Sequence, residues 1–445
     1  MENLKRHINE TVKLAVPVSI GQIGHIMMGV VDSLMVGQVG TVPLAAAALV
    51  NGLFFLVLVL GIGMTMAITP LVAISKGANN VDDCGMILRQ ALLVNMVFAL
   101  LLLAMIFFGA DLIQYMNQPP EVVAEARSYM KILALSVIPF LLFQVYRQFL
   151  EGISVVKPPM IIAVLANLFN AFSNWCLIFG NLGFPALGLD GAGISTFLTR
   201  TIMAFVLMFY VINSKKFAIY NPTLKYKTIN LKVIKKVIAI GLPSGLQYFL
   251  EVGAFSFSAI MIGWLGAVPL AAHQIAINLA SVTYMIVLGI GAAGTIRVGS
   301  ALGQQDYKNM RRAGFTAIGI AISLMFCFAI IFIVLRNFLP TLYVDDIPVI
   351  ELASTLLIVA ALFQLFDGTQ ATAIGVLRGL TDVKIPLIIS FGAYWLLGVP
   401  VGYILAFTFE LGTMGIWLGF LVGLASVAIS LTMRFNHLSK KELSV

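Results

Sequence analysis

Apolar runs of about twenty residues or more follow one another along this chain, separated by short breaks that hold nearly all the charge. At 1.5 Å of rise per residue, a run of that length is what an α-helix needs to cross the hydrocarbon core of a bilayer. The ten-residue alternating segments of a transmembrane barrel are not the pattern here. In order, the runs predict helices near 14–36, 44–74, 88–110, 130–152, 159–180 and 190–213, then six more near 237–263, 269–301, 313–336, 351–376, 385–408 and 412–433. The second helix of each group is long enough to tilt or to project beyond the bilayer.

The break between the groups is the one long polar stretch. From Ser214 to Lys236 it carries Lys215, Lys216, Lys225, Lys227, Lys232, Lys235 and Lys236 and no acid. What precedes it recurs after it. Gly40 to Ala46 (GTVPLAA) returns 226 positions later as Gly266 to Ala272 (GAVPLAA), and Pro17 meets Pro243 at the same shift. LGIG from Leu60 reappears from Leu288, LEGISVVKPPMII from Leu150 pairs with LRGLTDVKIPLII from Leu377, and Leu187, Gly188 and Gly191 echo Leu411, Gly412 and Gly415. Matches in one order at nearly one offset indicate a duplicated unit, a feature of secondary transporters. The expected organisation is an N-terminal lobe over 1–213, a basic linker over 214–236 and a C-terminal lobe over 237–445, each lobe a six-helix bundle.

Composition agrees with a polytopic membrane protein. Hydrophobic residues make up 60% of the chain and charged residues 10%, where a soluble domain carries about a quarter. The net charge of +8 does not point to nucleic acid, because the bases sit in the breaks. Counting alternate breaks and both termini, 23 of the 27 Lys and Arg fall on one side. The other breaks carry Asp111, Glu121, Glu125, Asp190, Asp345, Asp346, Glu351 and Glu410 with few bases. By the positive-inside rule the termini and the linker are cytoplasmic. Cys84, Cys176 and Cys327 are scattered without metal or disulfide spacing and read as small apolar fillers. The basic N-terminus leads into a long span with no small-residue cleavage signal, so it reads as a retained helix.

Four ionisable residues remain inside the predicted spans: Asp32, Arg200, Glu251 and Asp367. A charge at the bilayer centre costs about 2.5–3.5 kcal/mol on insertion scales, so each must face protein or a water-filled cavity. Helical spacing puts Gln247, Glu251, Phe255 and Ser258 on one face of the seventh helix and Gln364, Asp367 and Gln370 on one face of the tenth. Asn167, Asn170 and Asn174 line one side of the fifth, available to an acid such as Asp32 from the first. Such oxygen-rich groups suit hard cations, and carboxylates with amides also hold a proton. The same polar side chains can simply tie helices together, a reading the residues leave open for the asparagine face. Arg200 has no place in a site for cationic cargo and is expected to tie a carboxylate or a helix C-terminus. His25 stands at the repeat position of Glu251, and Asp32 at that of Ser258, so the halves share a scaffold but not its charges. His25 and His273 are expected to be buried and hydrogen-bonded. Glu151 with Lys157, and Asp382 with Lys384, are adjacent opposite charges within tight turns at the repeated LxG…KxP motif.

VDSLMVGQVGTVPLAAAAL from Val31, LPSGLQYFLEVGAFSF from Leu242 and LFDGTQATAIGVLRGLTDVKIP from Leu365, within a two-half twelve-helix plan, resemble the multidrug and toxic compound extrusion (MATE) family and its NorM-like branch across the whole chain. The resemblance implies an all-α, V-shaped inner-membrane antiporter that expels organic cations while sodium ions or protons enter by alternating access. It needs no cofactor beyond the coupling ion, has small cationic or amphiphilic drugs as partners, and is expected to act as a monomer. Carried over by position, Glu251 and Asp367 are the cation-coupling acids and sodium ligands, with Phe255 and Tyr284 as site partners. Asp32, Asn170 and Asn174 form the N-lobe polar site, and Asp32, Gln247 and Asp367 are candidates for touching substrate. Asn174 stands where some relatives carry a second acid, which argues against a proton-only scheme confined to the first lobe. A flippase for a lipid-linked oligosaccharide shares the general plan but calls for a cationic cavity, and the spans offer only Arg200. An embedded enzyme would need a catalytic constellation, and no HExxH, P-loop or paired metal ligands occur.

Overall fold

The computed structural model describes residues 2–222 and 229–443, so Lys225 and Lys227 of the basic linker lie outside the described residues. It contains twelve helices long and apolar enough to cross a membrane. They are α1 (Glu2–Gly37), α2 (Thr41–Gly77), α3 (Val81–Tyr115), α4 (Pro120–Gly152), α5 (Lys157–Phe179), α6 (Gly188–Asn213), α7 (Leu231–Gly263), α8 (Ala267–Gly303), α9 (Tyr307–Val334), α10 (Ile347–Gly379), α11 (Lys384–Thr408) and α12 (Gly412–Leu443). No strand occurs among the described residues. Several helices outrun the apolar patterns that predicted them. α1 starts in the polar segment before residue 14, where His7 and Thr11 are buried, and α7 starts at Leu231 inside the expected linker. α12 continues to Leu443, with Lys440 and Lys441 in its last turn favourably placed against the helix dipole.

The repeat is visible in how helices start and stop. α2 and α8 are both preceded by a glycine, Gly40 and Gly266, whose carbonyl accepts from the amide of Leu44 and Leu270 at 3.3 Å in each case. Gly266 has φ 119°, which a residue with a Cβ rarely adopts. α2, α4, α8 and α10 each end in a reverse turn with a left-handed residue: Asn79 (φ 57°), Ser154 (φ 64°), Gln305 (φ 58°) and Thr381 (φ 62°). In each, the next amide reaches back to the final helical turn. Asn80 bonds Ser75 O at 2.9 Å, Val155 bonds Leu150 O at 2.7 Å, and Asp306 and Asp382 bond Ala301 O and Leu377 O at 3.0 Å. These backbone bonds satisfy carbonyls that a helix end leaves free. Asn80 and Asp306 then cap the next helix by accepting from the amides of Asp83 and Asn309.

The charged pairs expected within two of these turns are different ones. Glu151 pairs with Arg147, one helical turn before it at 2.7 Å and buried, not with Lys157. Asp382 pairs with Arg434 of α12 at 2.9 Å, not with Lys384. For Glu151 the side chain one turn back on the same face is closer than one beyond the turn, whereas Asp382 meets a base brought by another helix.

By packing, the chain divides into two compact units, one of residues 20–245 and one of 1–19 with 246–445. The units change over within α1, after Ser19, and within α7, after Gly245. In the second unit the start of α1 lies on α8: Ser19 Oγ donates to Ile286 O at 2.7 Å, and Arg297 donates to His7 O, Thr11 Oγ1 and Glu10 Oε2. In the first unit the start of α7 lies on α2, where Gly63 and Gly245 meet backbone to backbone and Gly241 touches Met64. Both divisions fall just after a proline inside a helix, Pro17 and Pro243. Each proline removes one ladder bond, so the helix is weakest where it changes company.

Candidate functional site

In the second unit, Glu251 is buried on α7 and Asp367 on α10. Tyr284 of α8 brings its hydroxyl within 3.4 Å of Glu251 Oε1, and Tyr248 lies beside Tyr284. Asp367 is within electrostatic reach of Glu251 and makes no hydrogen bond or ion pair among the described residues. On the same face of α10, Gln364 leaves both amide atoms without a partner, and Gln370 Nε2, with no partner within 3.5 Å, interacts with the Glu251 carboxylate. Buried polar atoms are normally satisfied, so such a cluster calls for a small polar occupant such as water or an ion. Two carboxylates, a phenol and amides form a donor set for a proton or a small hard cation. Among the described residues, no three His, Cys, Asp or Glu gather into a metal site.

α11 completes this pocket through an irregularity that apolar patterning does not reveal. Residues Gly392–Gly398 and Ile404–Thr408 are π-helical, on either side of Pro400. Such turns re-aim side chains and recur at functional sites. Here Tyr394 donates to Gln370 Oε1 at 2.8 Å, fixing the amide so that its nitrogen is the end left to Glu251. Trp395 Nε1 donates to Leu250 O at 3.0 Å, next to Glu251.

Two more residues expected on the acid's face have partners of their own. Gln247 donates to Ser390 of α11 at 3.2 Å, and Phe255 packs into a ring cluster, 4.7 Å from Phe420 and about 6 Å from Phe363 and Tyr394. Arg378, assigned from sequence to a cytoplasmic break, has a buried Nε without a partner, and its charge acts on Tyr248, Tyr284 and Glu251. Its place at the end of an apolar run made it look like an orientation signal.

In the first unit, Asp32 of α1 accepts from Asn174 Nδ2 of α5 at 2.6 Å and from Thr196 Oγ1 of α6 at 3.0 Å. Asn174 Nδ2 also lies 3.4 Å from Asn170 Oδ1, and Asn170 Nδ2 donates to Ser195 at 3.3 Å. Asn167 takes no part and bonds Ala163 O in its own helix. Thr196 and Ser195 escaped the sequence reading because hydroxyls are unremarkable in apolar spans. Arg200, one turn beyond Thr196, makes the second of the two ties expected of it, to a helix C-terminus rather than to a carboxylate. It donates to Ser136 Oγ at 2.7 Å, where α4 is interrupted, and its guanidinium lies over the rings of Phe54 and Phe140 at 5.4 and 4.9 Å. The expected hydrogen bonding of the histidines fails. His25 is half-buried, edge-on to Phe140 and Phe143, with Nε2 unpartnered, and His273 has Nδ1 unpartnered beside Trp417.

A duplicated twelve-helix bundle with acids buried inside both units has the plan of a secondary transporter. The MatE family profile matches residues 17–176 and 243–404, two stretches that begin 226 residues apart, as the internal repeat does. The chain belongs to this family, the MATE transporters, and is NorM-like. It is 33% identical to the multidrug resistance protein NorM of Photobacterium profundum, covering 98% of this chain and 96% of that one. It is 34% identical to the multidrug resistance protein MdtK of Edwardsiella ictaluri, over 100% and 98% of the two chains. The fold is that of the eukaryotic MATE transporter AtDTX14, with a TM-score of 0.90 at 22% identity over 99% of this chain and 98% of that one. An outward-facing multidrug resistance MATE transporter of the MOP superfamily matches with a TM-score of 0.88 at 20% identity, over 99% and 97%.

Proposed function

We propose that this chain is a multidrug efflux antiporter of a bacterial inner membrane, expelling organic cations in exchange for inward sodium ions or protons. Full-length relatives named for multidrug resistance support the cargo class. The observation that carries the coupling is the pair of buried acids, Glu251 and Asp367, with the amides of Gln364 and Gln370 on the same helix face as Asp367. Tyr284 holds Glu251, the rings around Phe255 close the pocket on one side, and Asp32 with Asn170 and Asn174 forms the polar site of the N-terminal lobe. Asp32, Gln247 and Asp367 are the residues assigned to cargo. The lobes 1–213 and 237–445 alternate access around them, joined by the linker 214–236. Both termini are cytoplasmic, and the working unit is a monomer. Ion binding at the acid pair shifts the population of lobe conformations and lowers cargo affinity, and the linkage is reciprocal.

The test is ethidium efflux from drug-sensitive bacterial cells expressing the chain, with sodium pulses and pH jumps applied separately, beside Asp367→Asn. Sodium-triggered efflux lost in the variant supports sodium coupling at this pocket, and a response to acid pulses alone assigns the proton. Efflux and ion dependence both intact in Asp367→Asn would remove Asp367 from the mechanism. The flippase reading is disfavoured by Arg200, whose guanidinium is engaged by Ser136 and two rings rather than presented to a phosphate.

A further inference from the structure

A groove of about 880 Å³ opens in the second unit between the start of α1 and one face of α9. α1 contributes Leu4, His7 and Ile8. α9 contributes Arg312 at one end, then Phe315, Thr316, Gly319, Ile320, Ser323 and Leu324, and Cys327 at the other. These α9 positions recur at three- and four-residue steps and so form a single stripe. From Arg312 to Cys327 the stripe rises about 22 Å, more than the roughly 15 Å depth of one leaflet's hydrocarbon. Its floor is low at Gly319, where an added Cβ meets nothing within 4 Å. The opposite wall is apolar and exposed, with Leu4 59% and Ile8 40% accessible.

The charge at the groove's mouth is unbalanced. Glu10 is already shared by Arg6 and Arg297, and Arg311 is bound to Asn436 and Ser439. Arg312 is exposed and has no carboxylate within ion-pair distance among the described residues. An unpaired guanidinium at the open end of a long apolar trough is complementary to a phosphate carried on acyl chains. An amphiphilic cation would be repelled there, and a free phosphate would leave the trough unfilled.

We propose that the groove between α1 and α9 binds an anionic diacyl phospholipid, with its phosphate on Arg312 and an acyl chain along Phe315, Gly319, Ser323 and Cys327. With both termini cytoplasmic, as proposed above, the lipid belongs to the cytoplasmic leaflet; the binding itself does not depend on that orientation, so failure of either can be told from failure of the other.

The test uses the full-length protein, delipidated in detergent, offered equal amounts of phosphatidylglycerol and phosphatidylcholine with the same acyl chains, and read by native mass spectrometry. One guanidinium near the lipid surface is worth about 1 kcal/mol, so wild type is expected to retain phosphatidylglycerol about fivefold over phosphatidylcholine. Arg312→Gln, a change at an exposed position, brings the ratio to about one, while Gly319→Leu lowers retention of both lipids. Equal retention of the two lipids by wild type, a preference unchanged in Arg312→Gln, or displacement by glycerol phosphate alone would overturn the proposal.

Discussion

The hydroxyl of Tyr284 on α8 lies 3.4 Å from Glu251 Oε1 on α7. Tyr284→Phe removes it while keeping the ring that packs the pocket. A hydrogen bond of this kind is worth about 1 kcal/mol, so the ion concentration giving half-maximal ethidium efflux is expected to shift about fivefold with little loss of expressed protein. A dose–response in sodium and in pH, run beside Glu251→Gln, reads the shift.

Arg147 and Glu151 form a buried ion pair inside α4, with Gln144 and Gln22 on the same guanidinium at 3.5 Å. Removing one member leaves a buried charge without its partner. Glu151→Gln is therefore expected to lower stability by about 3–5 kcal/mol, and Arg147→Met with Glu151→Leu to recover most of the loss. Lys157→Gln changes stability by less than about 0.5 kcal/mol, as expected for an exposed side chain outside any network. Melting of purified protein, followed by size-exclusion fluorescence, ranks the variants.

Asp32 is held from two helices, by Asn174 at 2.6 Å and Thr196 at 3.0 Å. Asn174→Ala is expected to cost about 1–2 kcal/mol and Thr196→Val less, in keeping with the modest worth of hydrogen bonds between membrane helices. The double variant tests whether both act on one carboxylate. A combined loss differing from the sum of the single losses shows that they do.

Gly63 and Gly245 leave no room for a Cβ between α2 and α7, whereas one added at Gly109 meets nothing within 4 Å. Gly63→Ala is expected to force the two backbones apart and lower stability by about 1–3 kcal/mol or more. Gly109→Ala is expected to be neutral or slightly stabilising, since alanine is the better helix former by about 1 kcal/mol. Yield of monodisperse protein and its melting temperature separate the two cases.

The parts of this architecture that depend on run length and on local turn chemistry were legible in the sequence. Twelve apolar runs became twelve helices, and the LxG…KxP repeats became reverse turns because their backbone bonds need only the residues within the turn. Asp32, Glu251 and Asp367 stood out because an acid in an apolar run has few tolerable environments. Legibility ended where a partner lies far off in the chain or where helical register changes. No spacing rule pairs Asp382 with Arg434. The π-helical turns of α11 displace Tyr394 and Trp395 from the face that a 3.6-residue period assigns them. Arg378 and Thr196 were passed over because a base at a helix end and a hydroxyl within a span each have an ordinary explanation.

The exchange of helix ends at Pro17 and Pro243 bears on how the molecule can be assembled from pieces. A polypeptide cut between Asn221 and Asn230 yields two fragments. One carries the start of α1 that the second compact unit contains, and the other carries the start of α7 that the first contains. Neither fragment owns a whole unit, so synthesised alone each must leave a strip of its surface unmatched. Two genes encoding the fragments amount to a mutual complementation system in which each product is the missing edge of the other.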